Sequence, residues 1–276
     1  MRHELIREPA VAGTFYPGTG AALRRSIRNS LSVEPPGHDL AGCVAPHAGY
    51  MYSGMVAGKL YAHLRIPRRV IVLGPSHTGL GQPVAVAPHK AWRTPLGEVP
   101  IDQELAARLI QEFPEAEADA EAHWREHSIE VQLPFLQERR PDVRVLPVCL
   151  KHLGLDVSLQ LGRALARVID SAHEPVGLIA SSDMSHYEPD ADAREHDRTA
   201  INAALTLDPT ALYDTVHRRG ITMCGVIPAT VMLEAVRHLG VTAGHLVAYA
   251  TSGDTGGDRR AVVGYAGVCF YRAAHV

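Results

Sequence analysis

The sequence lacks the features that would place it in a membrane or on a nucleic acid. No apolar run among its 276 residues approaches the roughly 18–20 residues that a bilayer span requires. The 27 lysines and arginines are scattered among 30 aspartates and glutamates, and the formal net charge is −3. A basic stripe, which DNA, RNA and anionic membranes usually require of their partners, is therefore missing. We expect neither a nucleic-acid nor a membrane partner.

Cysteine is scarce, and its spacing forms no pairs. The four cysteines are widely separated, and no C-x-x-C motif occurs; they are Cys43, Cys149, Cys224 and Cys269. The first nine residues, MRHELIREP, are charged where a signal peptide has an apolar core. Without an export signal a disulfide framework is not expected. The sequence therefore predicts a cytoplasmic protein with reduced thiols.

Segments typical of strands alternate with segments typical of helices along the chain. Apolar and β-branched runs predict strands at Ala41–Pro46, Arg69–Leu73, Val143–Val148, Val176–Ala180, Leu246–Ala250 and Ala261–Tyr271. The predicted helices are Ser53–Leu64 (with Ser53 as its N-cap), Asp102–Phe113, His127–Arg139, Leu155–Ile169, Asp190–Leu205, Pro209–Arg218 and Ile227–Leu239. This alternation predicts one α/β domain over residues 1–276, with a doubly wound, mostly parallel sheet flanked by helices.

Polar residues suited to chemistry follow three of the predicted strands. His47 follows the first strand, His77 the second, and Asp183 and His186 the Val176–Ala180 strand. Because ligands bind outside the carboxyl ends of strands in open α/β sheets, we expect these four residues to face one crevice. In a helical turn, the three-residue spacing of Asp183 and His186 would put both on one face. The alternatives are a polar role for each histidine in its loop and an N-cap role for Asp183.

Three further motifs allow a functional and a structural interpretation. Cys224 precedes a predicted helix, whose N-terminus favours a thiolate ligand, but an unpaired cysteine is more often a buried apolar residue. The segment His123–His127 spells H-x-x-E-H, a zinc-protease pattern for which no downstream acidic ligand can be assigned. His127 and Glu130 could also face the same pocket. The loop Ser252–Asp258 is either a cation site or a glycine-rich connection.

Taken together, the motifs resemble those of one known family. They occur in the family's order over almost the whole chain: VAGTFYP (11–17), APHAGY (45–50), LGPSH (73–77), EHSIEVQLP (126–134), SSDMSH (181–186), MCG (223–225) and TSGDTGG (251–257). They closely resemble the Memo family, whose prokaryotic members are often called AmmeMemoRadiSam system protein B.

The resemblance implies a fold similar to that of the class III extradiol dioxygenases, which are non-haem iron enzymes. It implies a metal site at His47, His77 and Cys224, and catalytic roles for Asp183, His186 and His127. Two departures matter. A thiolate stands where extradiol enzymes use a carboxylate, so ring cleavage is not inherited. Animal Memo proteins, described as binding phosphotyrosine peptides, carry tryptophan where this chain has Phe15.

These observations predict a metal-dependent redox enzyme. Two imidazoles and a thiolate suit Fe(II), Cu or Zn, and the resemblance favours iron with copper second. The substrate, a small molecule or a peptide, is not inferable. One rival is a non-catalytic module that binds a peptide or a partner enzyme in the same pocket. The other is a zinc-dependent hydrolase. The family name implies a radical-SAM protein and an AMMECR-type protein as partners.

Overall fold

A computed structural model describes residues 6–31 and 37–272 of the chain; the charged N-terminal stretch considered for export begins outside these residues. The helices are α1 (Gly20–Ser30), α2 (Tyr50–His63), α3 (Gln103–Glu112), α4 (Leu133–Arg139), α5 (Leu155–Asp170), α6 (Asp190–Leu205), α7 (Pro209–Arg219), α8 (Val226–His238) and α9 (Gly253–Gly256). The strands are β1 (Ile6–Arg7), β2 (His38–Asp39), β3 (Gly42–Ala45), β4 (Leu64–Arg65), β5 (Arg69–Pro75), β6 (Val84–Val86), β7 (Ala91–Thr94), β8 (Gly97–Pro100), β9 (Ala116–Ala118), β10 (Arg144–Leu150), β11 (Val176–Ser181), β12 (His186–Glu188), β13 (Ala243–Thr251) and β14 (Val262–Tyr271).

The large sheet has a parallel centre and antiparallel borders. Within the described ranges it has nine strands, in the order β12-β14-β3-β11-β5-β10-β6-β9, and β13 pairs with β14. The four central strands, β3, β11, β5 and β10, run parallel to one another. At the borders β14 is antiparallel to β3, and β6 is antiparallel to β10. The predicted α/β class, with a mostly parallel sheet, is confirmed.

Helices cover both faces of this sheet. Alternate side chains of β5 enter two different cores: Ile71 and Leu73 pack with helices α3, α5, α7 and α8, whereas Val70 and Val72 pack with α1, α2 and α4. Because both faces of β5 are buried, residues on both faces are apolar, which explains the unbroken run of apolar, mostly β-branched residues at 70–73. None of the described helices combines the length and the apolar character needed to cross a bilayer.

Some predicted boundaries are wrong for local reasons. Helix α2 begins at Tyr50, so Ser53 lies inside the helix, where its hydroxyl donates to the carbonyl of Ala48, and it is not the N-cap. The predicted helix His127–Arg139 splits into a 3₁₀ turn, Glu130–Gln132, followed by α4. The small sheet β1-β7-β8 and helix α1 were not predicted. Strands of two to four residues are too short for periodicity to reveal.

Candidate metal centre

Three neighbouring parallel strands deliver three polar side chains to one edge of the sheet. β3 ends at Ala45, β5 at Pro75 and β11 at Ser181, and β11 lies between the other two. His47, His77 and Asp183 each follow two residues after these respective ends. Because the strands are parallel and aligned, equal offsets bring the three side chains together at their carboxyl edge.

Cys224 joins this group from the turn that precedes α8. Its Sγ lies 3.2 Å from Nε2 of His47, and one donor atom each from His47, His77 and Cys224 lie within 4.8 Å of one another. The next residue, Gly225, allows this approach, since a Cβ there would lie 2.4 Å from the carbonyl oxygen of Ser181. Any side chain at Gly225 would therefore push the thiol away from the histidines.

A buried hydrogen-bond chain fixes the tautomer of His47. The hydroxyl of Ser181 donates its only proton to the carbonyl of Ser128 (2.6 Å) and accepts from the amide of Gln132 (2.8 Å). That amide is itself oriented, because its oxygen accepts from Tyr61. Nδ1 of His47, 2.9 Å from the Ser181 oxygen, must therefore be the protonated nitrogen. The lone pair of Nε2 is left facing Cys224.

A buried carboxylate orients His77 in the same way. Glu126 accepts from the backbone N–H of His77 (2.6 Å) and from Nδ1 of its ring (2.9 Å). The same carboxylate accepts the backbone N–H groups of His127 and Ser128, both at 2.9 Å. Burial disfavours the ionised form, but the hydrogen bonds and the charge of His77 outweigh it and lower the pKa of Glu126 to about 2. With Nδ1 donating to a carboxylate, Nε2 of His77 is the nitrogen available to a metal.

The environment of Cys224 suits a thiol that ionises only when a cation binds. Burial, and then the charge of Asp183, raise the pKa of the Cys224 thiol well above its usual range. The backbone N–H of Asp183 points at the sulfur, at 3.3 Å. A metal ion bound here would supply the positive charge that stabilises the thiolate form of Cys224. Two oriented imidazoles and one such sulfur fit a borderline or soft metal ion such as Fe(II), Cu or Zn.

The three residues predicted to be catalytic lie around this donor set. Oδ1 of Asp183 accepts the backbone N–H of His47 at 2.8 Å, and burial raises the pKa of Asp183 to about 6. The ring of His127 stacks on His77 with centroids 4.5 Å apart, and burial lowers the pKa of His127 to about 4. Nδ1 of His186 donates to the carbonyl of Thr222 at 3.0 Å, which leaves Nε2 of His186 free.

Asp183 and His186 do not share a helical face, as their spacing suggested. His186 begins the extended segment β12, and Asp183 lies in the turn between β11 and β12. Both nevertheless line one cavity of about 660 Å³, together with His47, His77 and His127. The remaining wall includes four aromatic residues. The sequence comparison singles out Phe15, but it gives Tyr52, Tyr187 and Tyr265 no role in the site.

The H-x-x-E-H string does not form a zinc-protease site. His123 is fully buried, and its Nε2 lies 3.2 Å from the carbonyl of Ala85, whereas His127 faces the cavity. Glu126 lies close enough to His77 and His127 to suggest a second metal group. Its carboxylate, however, is already engaged by the four N–H donors described above. The chemical role of Glu126 is therefore to hold His77.

The other acidic residues considered for the site, Glu130 and the two aspartates of the 252–258 loop, form ion pairs with arginines. Glu130 does not face the pocket: its carboxylate binds Arg7 and the hydroxyl of Tyr16, each at 2.6 Å. In the 252–258 loop, Asp254 binds Arg194 and Arg259, and Asp258 binds Arg260. These ion pairs favour the structural interpretation of the loop over a cation site.

Comparison with known proteins decides the family. The sequence matches the family model described as Memo-like protein over residues 7–269. The chain belongs to the Memo family. A MEMO1 family protein of Aquifex aeolicus is 43% identical over 267 residues, covering 96% of this chain and 99% of that protein. One from Methanopyrus kandleri is 42% identical over 280 residues, covering 96% and 99%. The resemblance inferred from the motifs is confirmed.

A solved structure shares the fold of this Memo-family chain at low sequence identity. An uncharacterized protein from Escherichia coli K12 superposes with a TM-score of 0.58 and 14% identity, covering 83% of this chain and 99% of that one. At this identity the match supports the α/β architecture alone. The chemistry of the Memo-family site must be argued from its own residues.

Proposed function

We propose that this Memo-family protein is a metal-dependent redox enzyme that holds its metal with Nε2 of His47, Nε2 of His77 and Sγ of Cys224. One observation carries the proposal: both histidines have Nδ1 bonded to a buried acceptor, so their free nitrogens are directed at a shared point beside the half-buried thiol of Cys224. Such hydrogen bonds orient imidazole ligands in metalloproteins. We propose iron as the metal, with copper second and zinc as the alternative.

A metal bound here would supply electron transfer and an open position for O₂ or a substrate heteroatom. The chain itself contributes the surroundings of that position. His186 turns its Nε2, which has no partner among the described residues, toward the cavity, where it can hydrogen-bond to the ligand. Asp183 and His127 line the same cavity and are placed to hold or transfer protons. Four aromatic residues add apolar surface to the wall of the cavity: Phe15, Tyr52, Tyr187 and Tyr265.

We further propose that the site is related to that of the class III extradiol dioxygenases, with one substitution in its chemistry. Cys224 occupies the place where those enzymes use a carboxylate. A thiolate is a softer ligand and donates more electron density to the metal. Ring cleavage is therefore not inherited from those enzymes, even though the pocket is related.

A second candidate function is non-catalytic binding of a peptide or of a partner enzyme. Exposed apolar side chains beside the cavity favour it: Met51 and Met55 lie one turn apart on α2 and are 73% and 51% exposed, and Tyr52 between them lines the cavity. A radical-SAM protein and an AMMECR-type protein are the partners we propose for either function. Tight peptide binding that is indifferent to metal removal would favour the binding module.

Metal analysis of protein purified without a histidine tag tests the enzyme proposal. We expect iron or copper near one equivalent and, after anaerobic loading with Fe(II), rapid oxidation of the metal when O₂ is added. Stoichiometric zinc with chelator-sensitive amidase or esterase activity would favour the hydrolase instead. Protein that binds none of these metals would contradict all three metal assignments.

Ligand variants test the residues. We expect His47→Ala, His77→Ala and Cys224→Ser each to weaken metal binding by more than the roughly 10–100-fold loss caused by removing a ligand's supporting hydrogen bond. Matched controls are His217→Ala, on α7, and Cys269→Ala, in β14, which should keep wild-type affinity. Wild-type affinity in all three ligand variants, measured by titration calorimetry, would show that the metal lies elsewhere.

A further inference from the structure

β12 presents one aromatic side chain to the cavity through a strained backbone. Tyr187 has a φ of 60°, in the left-handed region that bulky residues rarely adopt. It lies at a register shift between β12 and β14, where His186 pairs with Val263 and Glu188 with Val262. Such irregularities redirect side chains, and they are common beside active sites.

Packing does not explain why a tyrosine occupies this position. Tyr187 is 78% exposed, so burial does not offset the strain. Its ring meets only one ring among the described residues, that of His186, edge to face at 5.9 Å. Strain of this kind persists mainly at ligand clamps and active sites. Tyr187 forms part of the cavity wall, where its ring is placed to contact a bound ligand.

The charges of the cavity restrict which ligand this can be. Of the described residues that line it, none is a lysine or an arginine, two are acidic (Asp183 and Asp258), and four are histidines, two of which are the proposed metal ligands. The neighbouring Arg260 is held by Asp258 through two contacts, at 3.1 and 2.9 Å, and is 91% exposed in its side chain. Phosphate and carboxylate groups are normally bound by arginine or lysine, and the described lining of the cavity offers an anion neither of these.

Binding of the proposed metal does not give the cavity an excess of positive charge. A divalent ion brings two positive charges, and the thiolate of Cys224 and the carboxylate of Asp183 offset them. The aromatic side chains of the wall also favour particular ligands. Phe15, Tyr52, Tyr187 and Tyr265 present ring faces and edges that attract flat apolar groups and, at the faces, cations.

We propose that the cavity binds a neutral or cationic organic molecule with a flat apolar face, and that Tyr187 determines this specificity by packing against that face. The inference rests on the proposed function for the identity of the site as an active site. The volume of about 660 Å³ accommodates a ring with substituents, as in other small-molecule sites. Anionic substrates, phosphorylated peptides among them, are disfavoured.

Three probes with one ring and different charges test the charge preference. Phenethylamine is cationic, 2-phenylethanol neutral and phenylacetate anionic at pH 7. Titration calorimetry of metal-free and of Fe(II)-loaded protein should give the tightest binding for phenethylamine, with phenylacetate weaker by about 10-fold or more. Equal or tighter binding of phenylacetate to metal-free protein would overturn the proposal, and so would the absence of binding by all three probes at about 10 mM.

Variants of Tyr187 test its role. Tyr187→Asn removes the ring but tolerates the left-handed backbone, so the melting temperature should stay unchanged or rise. We expect Tyr187→Asn and Tyr187→Ala to weaken phenethylamine binding about 3–30-fold, the range of a cation–π contact. The control Tyr213→Ala, on α7, should bind as the wild type does. Wild-type affinity in Tyr187→Asn would refute the assigned role.

The two proposals fail separately. Loss of metal binding in the wild type, with the charge order intact in metal-free protein, contradicts the redox function and supports the ligand class. Normal metal binding, combined with tighter binding of phenylacetate than of phenethylamine, supports the redox function and contradicts the ligand class.

Discussion

Replacing Ser181 with alanine should weaken the proposed metal site without changing any of the proposed ligands. The Ser181 hydroxyl accepts from Nδ1 of His47 and from the amide of Gln132, and donates to the carbonyl of Ser128. All four residues are buried. With alanine at position 181, the proton on Nδ1 of His47 has no acceptor. The ring can then rotate or change tautomer, and nothing holds the lone pair of Nε2 toward Cys224.

The hydrogen bonds of Ser181 determine how much the substitution lowers stability and how much it weakens metal binding. Three buried polar groups lose a partner, and at the low end of about 1 kcal/mol for each, the free energy of unfolding falls by about 3 kcal/mol. Loss of the hydrogen bond that orients a ligand histidine typically weakens metal binding about 10–100-fold. Ser181→Ala should therefore lower both stability and metal affinity.

Metal affinity is measured by competition with a chelator of known affinity, and stability by urea denaturation of metal-free protein. Ser158→Ala is the matched control: Ser158 is equally buried, but its hydroxyl bonds only to Gly154 at the start of α5, far along the chain from the site. This control should lose about 1 kcal/mol or less and keep wild-type metal affinity. A folded Ser181→Ala protein with unchanged metal affinity would refute the tautomer argument.

Two further predictions concern stability, each measured by chemical denaturation. Burial lowers the pKa of His123 from 6.5 to about 3, so the unfolded chain binds a proton that the folded one rejects, and stability falls as the pH drops below 6.5. Between pH 7 and 4.5 the wild type should lose about 2.5 kcal/mol more than His123→Phe, and parallel pH curves would contradict this. Gly58→Ala should cost about 2 kcal/mol or more, because its Cβ would lie 2.3 Å from the carbonyl oxygen of Ser30. Gly54→Ala, on the same helix but 3.4 Å from its nearest neighbour, should be neutral or stabilising by up to about 1 kcal/mol, and equal losses in the two variants would be inconsistent with this packing.

The parts of the site that follow strand ends are predictable from the sequence. A fully buried parallel strand has a distinct composition, and its carboxyl end is a defined place, so sequence patterns alone are enough to group His47, His77 and Asp183. The order of the strands in the sheet cannot be read from these patterns. In the structure β11 lies between β3 and β5, and this order puts Asp183 between the two histidines.

The supporting contacts are beyond the reach of sequence patterns because they join distant parts of the chain. Glu126 holds His77 across 49 residues, and Cys224 lies against His47 across 177. Local spacing assigns Glu126 to a helical zinc motif instead, because it cannot reveal which partner a side chain meets. The positive φ of Tyr187 is equally hidden, since tyrosine carries no signal for that conformation.

The position of β14 determines when the cavity can form during biosynthesis. Although it is the last strand described, β14 lies inside the sheet, and both β12 and β13 attach to the rest through it. A nascent chain therefore carries an open edge on β3 until residues 262–271 have left the ribosome. Val263 and Tyr265 of this strand also close one wall of the cavity. A ligand can therefore meet a finished pocket only after residues 262–271 have been made.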